Sequence, residues 1–203
     1  MPKAKKVKVW LKLISPEFLG KRELGEIPAN EPEAAVGRRV ILSAIDVLND
    51  FNKYYLKFHF KIGRVDNQNA YLYFDGLECT RDYIARMIRR RVDRTDLIVD
   101  LETKDGIKLR IKTITVTRKI PSSIRTKIRK KILEILSEEI KKSTMEEFIL
   151  KVLSDDFKNS IASQIKKIYP LRNFEFRKIE VKTPLEALLK KEKEKQKEEV
   201  KTQ

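Results

Sequence analysis

Leu97-Ile98-Val99-Asp100-Leu101-Glu102-Thr103-Lys104-Asp105-Gly106-Ile107-Lys108-Leu109-Arg110-Ile111-Lys112 is the stretch on which the reading of the fold turns. Leu97, Val99 and Leu101 alternate with polar residues, and so do Ile107, Leu109 and Ile111, the period of strands with one buried face. Asp105-Gly106 between them supplies the residues a tight hairpin turn requires. Two antiparallel strands are therefore expected, with Lys108, Arg110 and Lys112 on the outward face of the second.

The same period recurs on both sides of this hairpin. Val7 to Leu13 alternates, Tyr54 to Ile62 alternates, and Ala70, Leu72 and Phe74 repeat the pattern after the polar turn Asp66-Asn67-Gln68-Asn69. Arg38 to Val47 is apolar on both faces in places, as in a central or bent strand, and Phe174 to Val181 closes the set. Two runs change phase: Ile111 is followed by Ile114, and Phe176 by Ile179. A one-residue shift turns the apolar set to the wrong face unless a bulge absorbs it, so bulges are expected near Lys112-Thr113 and Arg177-Lys178. Bulged short strands suit a curved sheet. The expectation is an α+β fold: an antiparallel, barrel-like sheet of about seven short strands with a helical insertion before the last.

Helical spacing marks the intervening segments. A helix is expected over about 80–92, with Tyr83, Ile84, Met87 and Ile88 on one side. Further helices fill about 122–168, where Ile124, Ile128, Ile132, Ile135, Leu136 and Ile140 share a stripe. Ser143-Thr144-Met145-Glu146 reads as a capping box within them, and Tyr169-Pro170 ends the last. Residues 1–183 are read as a single domain, and residues 184–203 as a charged tail, helical or disordered.

Charge points to a partner. The 203 residues hold 46 Lys and Arg against 30 Asp and Glu, a formal net charge of +16. The excess is localised: residues 1–12 carry +5, residues 81–94 carry +4 and residues 104–131 carry +10, while the remainder is slightly acidic. A fixed cationic footprint for a polyanion follows, since a solvated surface ordinarily mixes signs. The candidate nucleic-acid-binding residues, RNA-binding if the partner is RNA, are Lys5 and Lys8; Arg81, Arg86, Arg89, Arg90 and Arg91; Lys108, Arg110, Lys112, Arg118 and Lys119; and Arg125, Lys127, Arg129, Lys130 and Lys131. Arginine offers phosphate a planar donor fork, and clustered cations release counterions from a nucleic-acid backbone. Trp10, between Lys8 and Lys12, suits either stacking on an unpaired base or covering a small apolar cluster.

Other chemistry finds little material. No window approaches 18 uncharged apolar residues, so no membrane span is expected, and the Lys-rich start is not followed by the apolar stretch of a signal peptide. The single Cys79 and single His59 leave no multi-cysteine zinc site and no nucleophile-base pair. No phosphate-binding glycine loop or nucleophile elbow occurs. Neither a catalytic residue nor a metal, cofactor or small-molecule substrate is expected.

Several collinear motifs resemble one family. Thr80-Arg81-Asp82-Tyr83-Ile84-Ala85-Arg86-Met87-Ile88-Arg89-Arg90-Arg91 is similar to the most characteristic segment of the archaeal and eukaryotic small-subunit ribosomal protein family S3Ae, also called eS1. Gly25-Glu26-Ile27-Pro28-Ala29 and Val36-Gly37-Arg38 resemble its N-terminal part, Thr103 to Lys112 its central hairpin, and Ile168-Tyr169-Pro170-Leu171-Arg172 its late helix end. The likeness runs from about Trp10 to Val181 and departs at Leu77-Glu78-Cys79, where many relatives are expected to carry a histidine-containing variant. The short ends look archaeal. The resemblance implies a structural, non-enzymatic protein of the cytoplasmic ribosome. Its implied partners are small-subunit ribosomal RNA on the platform, neighbouring platform proteins and messenger RNA near its exit. The alternative is a general nucleic-acid-binding or architectural protein acting off the ribosome.

Overall fold

A computed structural model describes residues 8–184. Among them are eight strands and five α-helices: β1 (Val9–Ile14), β2 (Glu23–Ala29), β3 (Arg39–Ser43), α1 (Ala44–Leu48), β4 (Leu56–Asp66), β5 (Asn69–Cys79), α2 (Arg81–Met87), β6 (Val92–Glu102), β7 (Lys108–Arg118), α3 (Ser122–Lys142), α4 (Met145–Leu153), α5 (Asp155–Lys166) and β8 (Leu171–Val181). The class is α+β with mostly antiparallel pairing. The chain divides into two compact units, the first running to Gly76 and the second spanning Leu77–Thr183.

In the first unit the strand order is β2-β1-β5-β4-β3, with β1 and β5 parallel and the other registered pairs antiparallel. The inward faces of β4 and β5 supply the core through Phe58, Phe60, Ile62, Ala70, Leu72 and Phe74, all buried. Phe58 and Phe60 stack at 5.7 Å, and both meet Phe74 edge-on. On the other face Tyr73 lies across Gly63, where a Cβ would come within 2.2 Å of the ring.

The second unit orders its strands β5-β8-β7-β6, only the last residues of β5 belonging to it. Eleven residue pairs join β6 to β7 in unbroken register, from Val92 opposite Arg118 to Glu102 opposite Lys108. Between β7 and β8 the chain inserts α3, α4 and α5, as the sequence pattern anticipates. They bury Ile128, Ile132, Leu136 and Ile140 from α3, Phe148, Ile149 and Val152 from α4, and Ile161 and Ile165 from α5. Phe157 stacks on Phe176 of β8 at 6.0 Å, joining helices to sheet.

Neither strand order returns on itself, so the described sheet is open where a barrel-like sheet was expected. The eighth strand is β2, which pairs with β1 although Gly25 and Pro28 interrupt its pattern; Pro28 is tolerable because β2 is an edge. The apolar run expected as a strand through Val47 bends at Ser43. Ser43 Oγ accepts the Ile45 N–H at 3.4 Å and opens α1, which buries Ala44 and Val47 one turn apart.

The helix expected over 80–92 stops at Met87. It buries no residue, so extending it would gain little packing, whereas Val92 begins an eleven-pair ladder. Arg91 makes the turn with a left-handed φ of +64°. The capping box lies one residue later than expected: Thr144 Oγ1 accepts the Glu147 N–H, and the Glu147 carboxylate accepts the Thr144 N–H.

The two expected bulges are one. Lys112 faces Lys178 and Thr113 faces Phe176, so Arg177 of β8 is the extra residue, while β7 keeps regular register with β6. β7 changes apparent phase because both its faces are buried from Thr113 to Thr117. Thr113, Thr115 and Thr117 continue the face of Ile107, Leu109 and Ile111, while Ile114 and Val116 fill the other.

Candidate nucleic-acid interface

Antiparallel topology gathers cations at one end of the second unit's sheet. β6 begins at Val92 beside the end of β7 at Arg118, and Leu171 at the start of β8 pairs with Thr117. That end therefore receives the residues before β6, after β7 and around the start of β8. Arg90, Arg91, Arg118, Lys119, Tyr169 and Arg172 line an open depression of about 650 Å³ there. Five cations and no carboxylate form its wall.

Local backbone geometry aims these side chains. Arg91 occupies the left-handed region, uncommon for a residue with a Cβ. Arg172 is the extra residue of a second β8 bulge, since Asn173 faces Val116 while Leu171 faces Thr117; bulges commonly re-aim a side chain in this way. Tyr169 is held by its hydroxyl, which donates to the Lys119 carbonyl at 3.3 Å. Behind the wall, Asp93 Oδ2 accepts from the Ile120 N–H at 3.1 Å and from Arg125 Nη2 at 3.0 Å, tying the start of α3 to β6.

The candidate residues fall into distinct groups. Arg81 and Arg86 are exposed on α2, and Arg89 to Arg91 form the turn after it. Lys108 lies exposed at the start of β7. Arg110 instead grips Asp100 with two bonds of 2.7 Å, and Lys112 reaches Glu180 at 3.3 Å. Arg118 and Lys119 enter the cradle. On α3, Arg125 is committed to Asp93, Arg129 Nε donates to the Asp96 carbonyl at 3.1 Å, and Lys131 pairs with Glu134 at 3.2 Å, while Lys127 and Lys130 are exposed. Lys8 lies exposed just before β1 in the first unit, and Lys5 is outside the described residues.

Sequence reasoning missed Tyr169 and Arg172 as site residues. Their signal was Pro170, which ends the helical insertion and returns the chain beside β7. It also missed the partners of Arg110 and Lys112, although the hairpin register itself places Asp100 opposite Arg110.

Electrostatics sharpen this division. The hydrogen bonds from Arg110 hold the Asp100 carboxyl below the usual range, and Asp100 in turn raises the Arg110 guanidinium. Burial pushes Glu180 upward, but hydrogen bonds from Lys178 and Lys112 outweigh it and leave the carboxyl lowered. Burial, with Glu175 nearby, pushes the Cys79 thiol up to about 12. That thiol donates to the Phe176 carbonyl at 3.0 Å, a packed group and not a nucleophile. Trp10, paired opposite Pro28, is 58% exposed. Among the described residues no cluster of His, Cys, Asp and Glu is placed to hold a metal ion, and no helix is long and apolar enough to cross a membrane.

Comparison with known proteins agrees with the sequence motifs. The profile of the ribosomal S3Ae family matches residues 3–184. The chain is 38% identical over 181 residues to small ribosomal subunit protein eS1 of Methanopyrus kandleri, covering 87% of this chain and 86% of that one. It is 37% identical over 178 residues to the eS1 protein of Archaeoglobus fulgidus, covering 86% and 84%, and 35% identical over 174 residues to that of Sulfurisphaera tokodaii, covering 85% and 90%. With a profile match over all the described residues and archaeal relatives alike along most of both chains, this protein belongs to the ribosomal S3Ae family.

Proposed function

We propose that the chain is a structural, non-enzymatic constituent of the cytoplasmic small ribosomal subunit and holds ribosomal RNA in the basic cradle. The observation that carries this reading is the cradle itself: five cations brought together by three strand ends with no carboxylate among them. Such a cluster repels itself and is best satisfied by a polyanion. Relatives named small ribosomal subunit protein eS1 support the choice of RNA and particle. Arg81, Arg86, Arg89, Lys127 and Lys130 are exposed and would offer further phosphate contacts. Placement on the platform near the messenger exit, with platform proteins as neighbours, belongs to this proposal as the family likeness implies it. RNA shape, not base sequence, would set specificity, because phosphate contacts position without reading.

Salt dependence of binding to small-subunit RNA tests the reading. Replacing Arg90, Arg118 and Arg172 together by Ala should reduce the slope of log affinity against log salt by about 0.7 to 0.9 for each phosphate that is no longer neutralised. An unchanged slope removes the cradle from the interface. Retention on the small subunit through a high-salt wash in stoichiometric amount is the expected companion result; loss to the supernatant favours an off-ribosome role.

A further inference from the structure

The cradle holds an aromatic ring among its cations, and this narrows the RNA it fits. An A-form duplex presents phosphates on a convex surface with its bases stacked inside, so a tyrosine in a concave wall has no base to meet. Unpaired nucleotides differ: their bases splay out and stack on aromatic side chains while basic groups hold the backbone. Tyr169 is placed for that role. Its hydroxyl is tethered to the Lys119 carbonyl at 3.3 Å, which restrains the ring, and Lys119 and Arg172 line the same depression.

Both backbone irregularities at this sheet end serve the same concavity. The left-handed turn at Arg91 and the bulge at Arg172 both lie at this end of the sheet, and both residues line the depression. Five cations around about 650 Å³ match closely spaced phosphates, as at a sharp backbone turn, better than the regular rows of a helix. Resting on the reading of the cradle as an RNA site, we infer that it takes an unpaired nucleotide at a bend of the RNA backbone. The phosphates lie against Arg90, Arg91, Arg118, Lys119 and Arg172, and the base stacks on Tyr169.

The test uses the full chain with two RNA hairpins, one carrying a short bulge with 2-aminopurine at the unpaired position and the other fully paired. Wild type should prefer the bulged hairpin and quench the 2-aminopurine. Tyr169→Leu should lose about tenfold or more of the affinity for the bulged hairpin, as expected for removal of a base stack, and bind the paired hairpin unchanged. Tyr169→Phe keeps the ring without the hydroxyl tether and should retain the preference. Thermal melts establish that each variant folds. Equal binding of both hairpins by wild type, or an equal loss on both in Tyr169→Leu, overturns the inference. Failure of the broader RNA reading looks different: affinity for both hairpins would be insensitive to Arg118→Ala and Arg172→Ala.

Discussion

Asp93 Oδ2 accepts from Arg125 Nη2 at 3.0 Å while also accepting the backbone N–H of Ile120 at 3.1 Å, so one carboxylate oxygen fixes both the approach to α3 and its first turn. Both side chains are partly exposed, which weakens the ion pair through solvent screening. The bond to the backbone is less dispensable, because losing its acceptor leaves a donor without a partner. Asp93→Ala should therefore cost about 1 to 2 kcal/mol in denaturant unfolding. Arg125→Ala should cost less, with a coupling of about 0.5 kcal/mol or more in the double mutant. Strict additivity would show that the ion pair contributes nothing to stability.

Gly63 offers a test confined to the first unit. A Cβ there would sit 2.2 Å from Tyr73 Cε2 and 2.3 Å from Cδ2, well inside van der Waals contact. The ring must shift or the hairpin must distort, and overpacking of this kind costs about 1 to 3 kcal/mol. Gly63→Ala should lower the melting temperature accordingly, and adding Tyr73→Ala should recover part of the loss. A Gly63→Ala variant as stable as wild type would mean that the ring moves away freely.

The β6–β7 hairpin was legible because Asp105-Gly106 and alternation agree, so local preference and global fold point the same way. β2 was not, since its Gly25 and Pro28 carry no strand period and only pairing with β1 makes it a strand. In the cradle, Arg90, Arg91, Arg118 and Lys119 could be read from charge density. Tyr169 and Arg172 could not, because they enter through the return of β8 after three helices. Arg110 and Lys112 show the converse limit: they read as free cations until the neighbouring strands bring Asp100 and Glu180 to them.

That pairing has a measurable consequence for binding. Arg110 spends two donors on Asp100, and the carboxyl is held low by those bonds. A group with a depressed folded pKa contributes its stability above the unfolded value and loses it as pH falls through the folded one. Arg110 thus stays engaged at neutral pH. Arg110→Ala should change the salt slope of RNA binding less than Arg118→Ala does, and an equal change would place Arg110 on the RNA.

Cys79 should be chemically silent in the native state. Its thiol is buried and pushed up to about 12, so at pH 8 iodoacetamide should label it only after unfolding. The raised pKa also fixes the sign of an alkaline effect. The unfolded thiol, near its ordinary value, loses its proton first, so the stabilising contribution is complete below about pH 8.5 and declines as pH rises toward 12. Cys79→Ser should have a smaller alkaline loss over that window than wild type; identical pH profiles would assign the loss to other groups.

Arg91 ties the backbone to the cradle most directly. Its φ of +64° places a long side chain in a region where a Cβ costs about 1 kcal/mol or more, and the fold holds it there because Val92 must enter the β6 ladder at once. Glycine accepts this conformation without that penalty, although it adds freedom to the unfolded chain. Arg91→Gly should therefore be neutral or modestly stabilising by melting, yet bind small-subunit RNA more weakly with a flatter salt slope. Arg91→Ala keeps the strained backbone and removes the guanidinium, so it should weaken binding similarly without the gain in stability. If Arg91→Gly instead destabilised the chain while leaving RNA affinity intact, the left-handed turn would be a folding requirement and not a device for presenting a cation.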